Sequence, residues 1–211
     1  MEKKQPELRV RRTRKLLWKA LIELTTEKGY DSVTVKDITE RAMINRVTFY
    51  RHYEDKNDLL MRGMDEIMDD LNERSEPPLT NWRVSVDQPP SNALVFFEHV
   101  QEYAQFYRVM LGKRGVPELG ERMQRHIDTL FQERIELVRH TESSRIGKTL
   151  VPTDLAVYSI STTVMSIAKW WVDNDLPCTA QEIALYTTRL IVLGAYRSIG
   201  VEFELPEELR V

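Results

Sequence analysis

Apolar residues recur at helical spacing along nearly the whole chain. Leu17, Ala20, Leu21 and Leu24 stand at i, i+3, i+4 and i+7, one buried face of a helix predicted over about 9–28. Gly29 is its stop, because glycine readily takes the left-handed conformation that ends helices. A second helix is predicted to begin at Thr34, whose hydroxyl caps it while Asp37 reaches back as an approximate capping box, with Val33 and Ile38 at the two hydrophobic staple positions. The third repeats this logic, with Asn45 as N-cap and Ile44 and Phe49 as staple. A fourth starts near Asp55, carries Leu59, Leu60, Gly63, Ile67 and Leu71 inward, and ends by Glu76 because Pro77 and Pro78 cannot continue it.

Residues 76–90 hold four prolines around Leu79, Trp82, Val84 and Val86, an irregular connection that still wants apolar cover. Four further helices are predicted over about 91–111, 117–140, 153–175 and 179–199. Gly112, Gly115 and Pro117 separate the first pair, and the polar stretch 141–149 with Pro152 separates the next. Thr179 and Glu182 form a full capping box for the last helix, with Cys178 and Ile183 as its staple. No β-period segment or internal repeat stands out. The expected fold is all-α: an N-terminal three-helix helix-turn-helix domain over 1–56, and a C-terminal helical domain over 57–211.

Charge sharpens this picture. The net charge of -3 over 211 residues hides an asymmetry: residues 1–60 carry 14 Lys/Arg against 10 Asp/Glu, the remainder 16 against 23. The run RVRRTRKLLWK supplies Arg9, Arg11, Arg12, Arg14, Lys15 and Lys19 with no acid among them. A basic arm feeding two short helices joined by a tight turn points to double-stranded DNA. A major groove admits one α-helix, whose first turn lies nearest the base edges. Arg46 is suited to guanine, and Val47 or the Thr48 methyl to a thymine methyl. Tyr50 and His52 are suited to phosphate oxygens, Lys56 adds charge at the next helix's start, and Arg12 and Arg51 add cations. Thr34 and Lys36 open the preceding helix, where they can clamp the opposite wall of the groove. Asn45 belongs to the same candidate DNA-binding set.

These residues carry a family resemblance. VTVKDITERAMINRVTFYRHYEDKNDLL (33–60) resembles the signature of the TetR/AcrR family of transcriptional regulators, in which TFYRHY (48–53) and the K-x-x-L-L run from Lys56 find close matches. The resemblance covers roughly residues 8–60. Met43 and Val47 depart from it, standing where glycines are common. FYRVMLGKRGVPEL (106–119) and the stretch 158–186 resemble the C-terminal domain of a TetR branch frequent in Firmicutes. The resemblance implies a homodimer joined through its last two long helices, acting on a palindromic operator, most often as a repressor released by an unknown small-molecule or protein effector. Activation, or response to a protein partner, is an alternative within the same branch.

The C-terminal stripes themselves leave two readings open. Val157, Ile160, Val164, Ala168 and Trp171 stripe one helix; Ile183, Thr187, Leu190, Ile191, Gly194 and Ala195 stripe the other. A buried intrachain hairpin explains them as well as a dimer seam does. His99, Tyr103, Tyr107, Met123 and His126 are candidates for lining a ligand cavity, against ordinary helical core. Metal and cofactor are not expected: His99 has no His, Cys or Asp partner at i+3 or i+4, and His126 and Asp128 are only two apart. GxGxxG, GxSxG and Walker A signatures are absent, so no enzyme is expected, and a helical scaffold is the rival from another class. The polar N-terminus, the single Cys178 and the lack of any apolar run near the roughly 18 to 20 residues that span a bilayer suggest a cytoplasmic protein without a membrane partner.

Overall fold

The computed structural model describes residues 4–75, 85–112, 116–141 and 151–198. Its elements run α1 (Lys4–Lys28), a 3-10 turn (Tyr30–Ser32), α2 (Val35–Ala42), α3 (Arg46–Tyr50), α4 (Lys56–Arg74), α5 (Ser91–Glu102), α6 (Ala104–Leu111), α7 (Pro117–Thr141), α8 (Thr153–Asp173) and α9 (Ala180–Ser198). No strand occurs among the described residues, and none of their helices is long and apolar enough to cross a membrane.

The chain packs as two units. One comprises residues 1–74 and 103–123; the other comprises 75–102 and 124–211. The expected boundary between 56 and 57 rests on chemistry, where the DNA-reading motif stops; the packing units follow shared cores instead, so α4, α6 and the start of α7 group with α1–α3. The expected continuous helix over 91–111 is two helices broken at Tyr103, whose φ of -105° and ψ of 30° are not helical. The break serves two cores at once: α5 packs against α8 and α9, while α6 packs against α1.

In the first unit, the α1 stripe Leu17, Ala20, Leu21 and Leu24 is buried, joined by Ile38 and Ala42 of α2, Phe49 of α3, and Leu59, Leu60, Met64, Ile67 and Leu71 of α4. Each of the Leu, Ile, Phe and Met side chains among them contributes roughly 1.5–3 kcal/mol by leaving water. Gly63 of α4 is set by close approach. A Cβ there would lie 2.1 Å from the Trp18 ring, which also meets Phe106 of α6 at a centroid separation of 5.6 Å. Asp65 and Arg122 pair, tying α4 to the start of α7.

In the second unit, Phe97 of α5 packs edge-on to Trp171 of α8 at 5.7 Å, and the Trp171 Nε1 donates to the Cys178 carbonyl at 3.0 Å. The buried Ser161 hydroxyl donates to Asp128 and accepts from Gln124 Nε2 at 2.7 Å. The box at the start of α9 is formed: Glu182 Oε2 accepts from the Thr179 N–H at 2.8 Å and the Thr179 Oγ1 accepts from the Glu182 N–H at 3.2 Å. Among the sequence expectations for 76–90 and 141–149, Leu79, Trp82, Val84 and residues 142–149 lie outside the described residues.

Candidate nucleic-acid interface

The geometry of α2 and α3 is fixed by short-range hydrogen bonds. Thr34 caps α2 with its hydroxyl oxygen accepting from the Asp37 N–H at 3.2 Å, and Asp37 Oδ2 accepts from the Thr34 N–H at 2.8 Å. Lys28 adds an ion pair to Asp37 at 2.9 Å. The hydrogen bond from the Thr34 hydroxyl, then that from Lys28, then that from the Thr34 backbone, hold the Asp37 carboxyl well below the usual carboxylate range. Val33 and Ile38 are buried as the staple.

The turn between the helices centres on Met43, which adopts the left-handed conformation with φ 53° and ψ 38°. This closes the end of α2: the Met43 N–H reaches the Glu40 carbonyl at 3.2 Å and the Ile44 N–H reaches the Thr39 carbonyl at 2.9 Å. Asn45 then opens α3, its Oδ1 accepting from the Val47 N–H at 2.8 Å. Phe49 drives α3 into the core and meets the rings of Tyr50 and Tyr53 at 5.4 and 5.7 Å.

With Phe49 facing inward, Arg46, Val47, Tyr50 and Arg51 are exposed, as are Arg12, Thr34, Lys36 and Asn45. Val47 is 63% exposed and Tyr50 53%, unusual for an apolar and an aromatic side chain with a core close by. Thr48 and His52 are half-buried. Burial first, then the Arg14 and Arg51 guanidinium groups, hold the His52 imidazole below its ordinary value.

Ion pairs sort the cations of this unit. Arg41, exposed on α2, is committed to Glu27 through two bonds of 2.8 and 2.7 Å and to Glu23 at 3.5 Å. Lys36 lies 3.8 Å from Glu40, and Arg14 lies 3.9 Å from Glu66. Arg9, Arg11, Arg12, Lys15, Arg46 and Arg51 have no ion pair among the described residues. Lys56, expected among the DNA-binding residues, is already engaged within the protein. Its Nζ donates to the carbonyls of Tyr30 (2.9 Å), Asp31 (3.3 Å) and Val33 (2.9 Å) and stands 4.4 Å from the centre of the Tyr30 ring. An ammonium has three N–H donors, so none is left over for a phosphate. Residue spacing does not reveal this, because the acceptors are backbone atoms more than twenty residues away.

The candidate dimer residues divide between the protomer's interior and its surface. Val157, Val164 and Trp171 of α8 and Thr187 of α9 are buried within the protomer, where they join α8, α9 and α5 into one core. Ile191 is half-buried. Gly194 is exposed and breaks the regular geometry of α9 with φ 72° and ψ 167°, and the side chain of Ala195 lies outside the described residues. Other large apolar side chains face outward: Leu155, Tyr158 and Trp170 of α8, and Tyr186 and Val192 of α9. In the tandem Trp170–Trp171 one ring is therefore out and the other in. Of the candidate ligand-lining residues, His99, Tyr107 and Met123 are fully buried, and Tyr103 and His126 are half-buried. The Tyr103 hydroxyl donates to Asp70 at 3.3 Å. Among the described residues no group of three or more His, Cys, Asp or Glu is placed to hold a metal ion.

A capped pair of short helices, with an exposed polar and apolar face on the second and, on α1, cations that make no ion pair among the described residues, is the form of a helix-turn-helix DNA-binding transcriptional regulator. The chain matches the sequence pattern of bacterial regulatory proteins of the tetR family over residues 17–62, and that of a transcriptional regulator C-terminal region over residues 87–192. It belongs to the TetR family of transcriptional regulators, a family of DNA-binding proteins.

A relative in Bacillus subtilis, the uncharacterised HTH-type transcriptional regulator YxbF, is 42% identical over 81 residues, covering 36% of this chain and 21% of that protein. The chain thus spans about a fifth of that relative's length. Among solved structures, a protein from Syntrophomonas wolfei assigned to the TetR-family regulators superposes with a TM-score of 0.69 at 15% identity, covering 92% of this chain and 98% of that one. A TetR transcriptional regulator from Streptococcus agalactiae superposes with a TM-score of 0.61 at 20% identity, covering 88% and 97%. At these identities the likeness is one of fold.

Proposed function

We propose that the protein is a homodimeric repressor that reads a palindromic operator through α3 of each subunit. The observation that carries this is the solvent-facing set on α3. Arg46, Val47 and Tyr50 stay exposed on a helix of five residues because Asn45 and Phe49 fix its start and its inward side. Arg46 reads guanine and Val47, with the Thr48 methyl, reads a thymine methyl. Tyr50, His52 and Arg51 anchor to phosphates beside the reading helix. Thr34 and Lys36 meet the other wall of the groove, and Arg12 with its neighbours on α1 reaches the flanking backbone. Asn45 acts through its cap, which sets the angle of α3.

Two copies join through the outward faces of α8 and α9. Leu155, Tyr158, Trp170, Tyr186 and Val192 support this reading, since they expose large apolar side chains on the two helices concerned, surface that an interface would remove from water. Twofold symmetry then matches an inverted repeat. An effector acting on the C-terminal unit releases DNA by favouring a state in which the two reading helices no longer match successive major grooves. Of the candidate ligand-lining residues, His99 and His126 belong to that unit and are the side chains on which such an effector would act.

Selection of bound sites from random double-stranded DNA tests the whole reading. Enrichment of an inverted repeat is expected, with affinity falling steeply as salt rises, at a log–log slope of about -0.9 per phosphate contact. Absence of any enriched sequence overturns the DNA reading; enrichment of an isolated half-site overturns the dimer.

A further inference from the structure

We infer that Lys56 is a positioning residue that holds the reading head in shape and carries no charge to the DNA; this rests on the DNA reading proposed above. Lys56 is the first residue of α4, and its three acceptors are the carbonyls of Tyr30, Asp31 and Val33, the last directly before the Thr34 cap of α2. The segment 34–55 between them contains all of α2, the turn and α3. One side chain therefore ties the two ends of the helix-turn-helix together. It fixes the distance between the Thr34–Lys36 end, on one wall of a groove, and the Arg46–Tyr50 face that enters it.

The chemistry of the clamp explains why lysine suits it. The Tyr30 carbonyl already accepts the Val33 N–H at 3.0 Å and uses its second lone pair for Lys56, which also supplies a donor to the carbonyls of Asp31 and Val33. A tetrahedral ammonium directs three protons at three converging oxygens, whereas a planar guanidinium aims its protons in one plane. The Tyr30 ring covers the ammonium from another side at 4.4 Å, a cation–π distance, and burial pushes its own phenol up to about 12, so that it stays neutral there. For the Lys56 ammonium to donate to a phosphate, at least one of the three carbonyls would have to give up its hydrogen bond.

Lys56→Met keeps the apolar stem and removes the donors. The test compares it with Lys56→Arg and Arg51→Ala, each titrated with salt on the selected operator and on random DNA. Hydrogen exchange of the Val35–Asp37 amides is followed in the free proteins, at a temperature where all are folded. Losing three charge-assisted hydrogen bonds should weaken binding to every sequence on the order of tenfold. The salt slope of both Lys56 variants should stay at the wild-type value, while Arg51→Ala lowers it by about 0.9 per contact. Exchange at Val35–Asp37 should quicken in both Lys56 variants and not in Arg51→Ala. The inference is overturned if Lys56→Met lowers the slope as Arg51→Ala does, if it binds like the wild type, or if Lys56→Arg restores wild-type affinity and exchange. Wild-type protein that binds no sequence selectively would sink the DNA reading, while the exchange measurement still decides the clamp.

Discussion

Met43→Gly should stabilise this protein, although it removes a large apolar side chain. Met43 sits at φ 53° and ψ 38°, where a side chain brings its Cβ too close to the backbone, at a cost of about 1–2 kcal/mol. The side chain is 92% exposed, so its loss forfeits almost no burial. Against this, glycine makes the unfolded chain freer, which costs about 0.4–1 kcal/mol. The balance is a gain of roughly 0.5–1 kcal/mol, or a rise in Tm of about 1–4 °C for a chain of this size.

Urea denaturation followed by circular dichroism should show a higher midpoint with an unchanged slope. Gly29→Ala is the mirror experiment. Gly29 has φ 81° and ψ 147°, and a Cβ there would meet nothing within 4 Å, so its loss is conformational and should destabilise by about 1 kcal/mol or more. If Met43→Gly lowers the midpoint while Gly29→Ala behaves as described, the left-handed turn is not what Met43 strains against, and the account of the α2–α3 turn is wrong.

Arg46→Ala should relax preference at one or two base pairs of the selected operator, by about 1–3 kcal/mol between the preferred and a changed base, in competition binding assays; equal loss on all sequences would make Arg46 a phosphate contact. Thr34→Ala should cost about 1 kcal/mol through the lost cap. The Asp37 carboxyl is depressed in the folded state, so its contribution is fully present above the ordinary carboxylate value near pH 4 and is lost as pH falls below it. Thermal melts between pH 7 and pH 3 should show this acid-side loss shrinking in Thr34→Ala, and an unchanged pH profile would contradict the box. Leu155→Asp should leave a folded monomer by light scattering and circular dichroism, whereas Val164→Asp, buried inside the protomer, should unfold it; a dimer that tolerates Leu155→Asp would place the interface elsewhere.

Features settled within three or four residues are legible in the amino-acid sequence alone. The Thr34 and Thr179 boxes, the Asn45 cap and the Val33–Ile38 staple form as the spacing of the residues predicts. The buried stripes of α1 and α4 are equally legible, because helical periodicity alone brings such residues to one side. The exposed face of α3 follows once Phe49 points inward. Met43 is visible as a departure from glycine, and the chain keeps the glycine conformation there with methionine.

Partners far apart in sequence leave no such trace. Arg41 looks like a free cation on α2 until Glu27 of α1, fourteen residues earlier, is seen to hold it in a fork of two hydrogen bonds. Lys56 looks like a phosphate anchor until the carbonyls of the turn before α2 are seen around it. Periodicity shows that α8 carries an apolar stripe at Val157, Val164 and Trp171. Only packing against α5 and α9 decides that this stripe is core and that Leu155, Tyr158 and Trp170 are the ones left outside. The sequence by itself determined most of the elements, though not the break at Tyr103, together with their caps and the outward side of α3, since those depend on interactions between near neighbours. Tertiary structure decided which charges are already spent and which apolar side is free, because both depend on groups that only folding brings together.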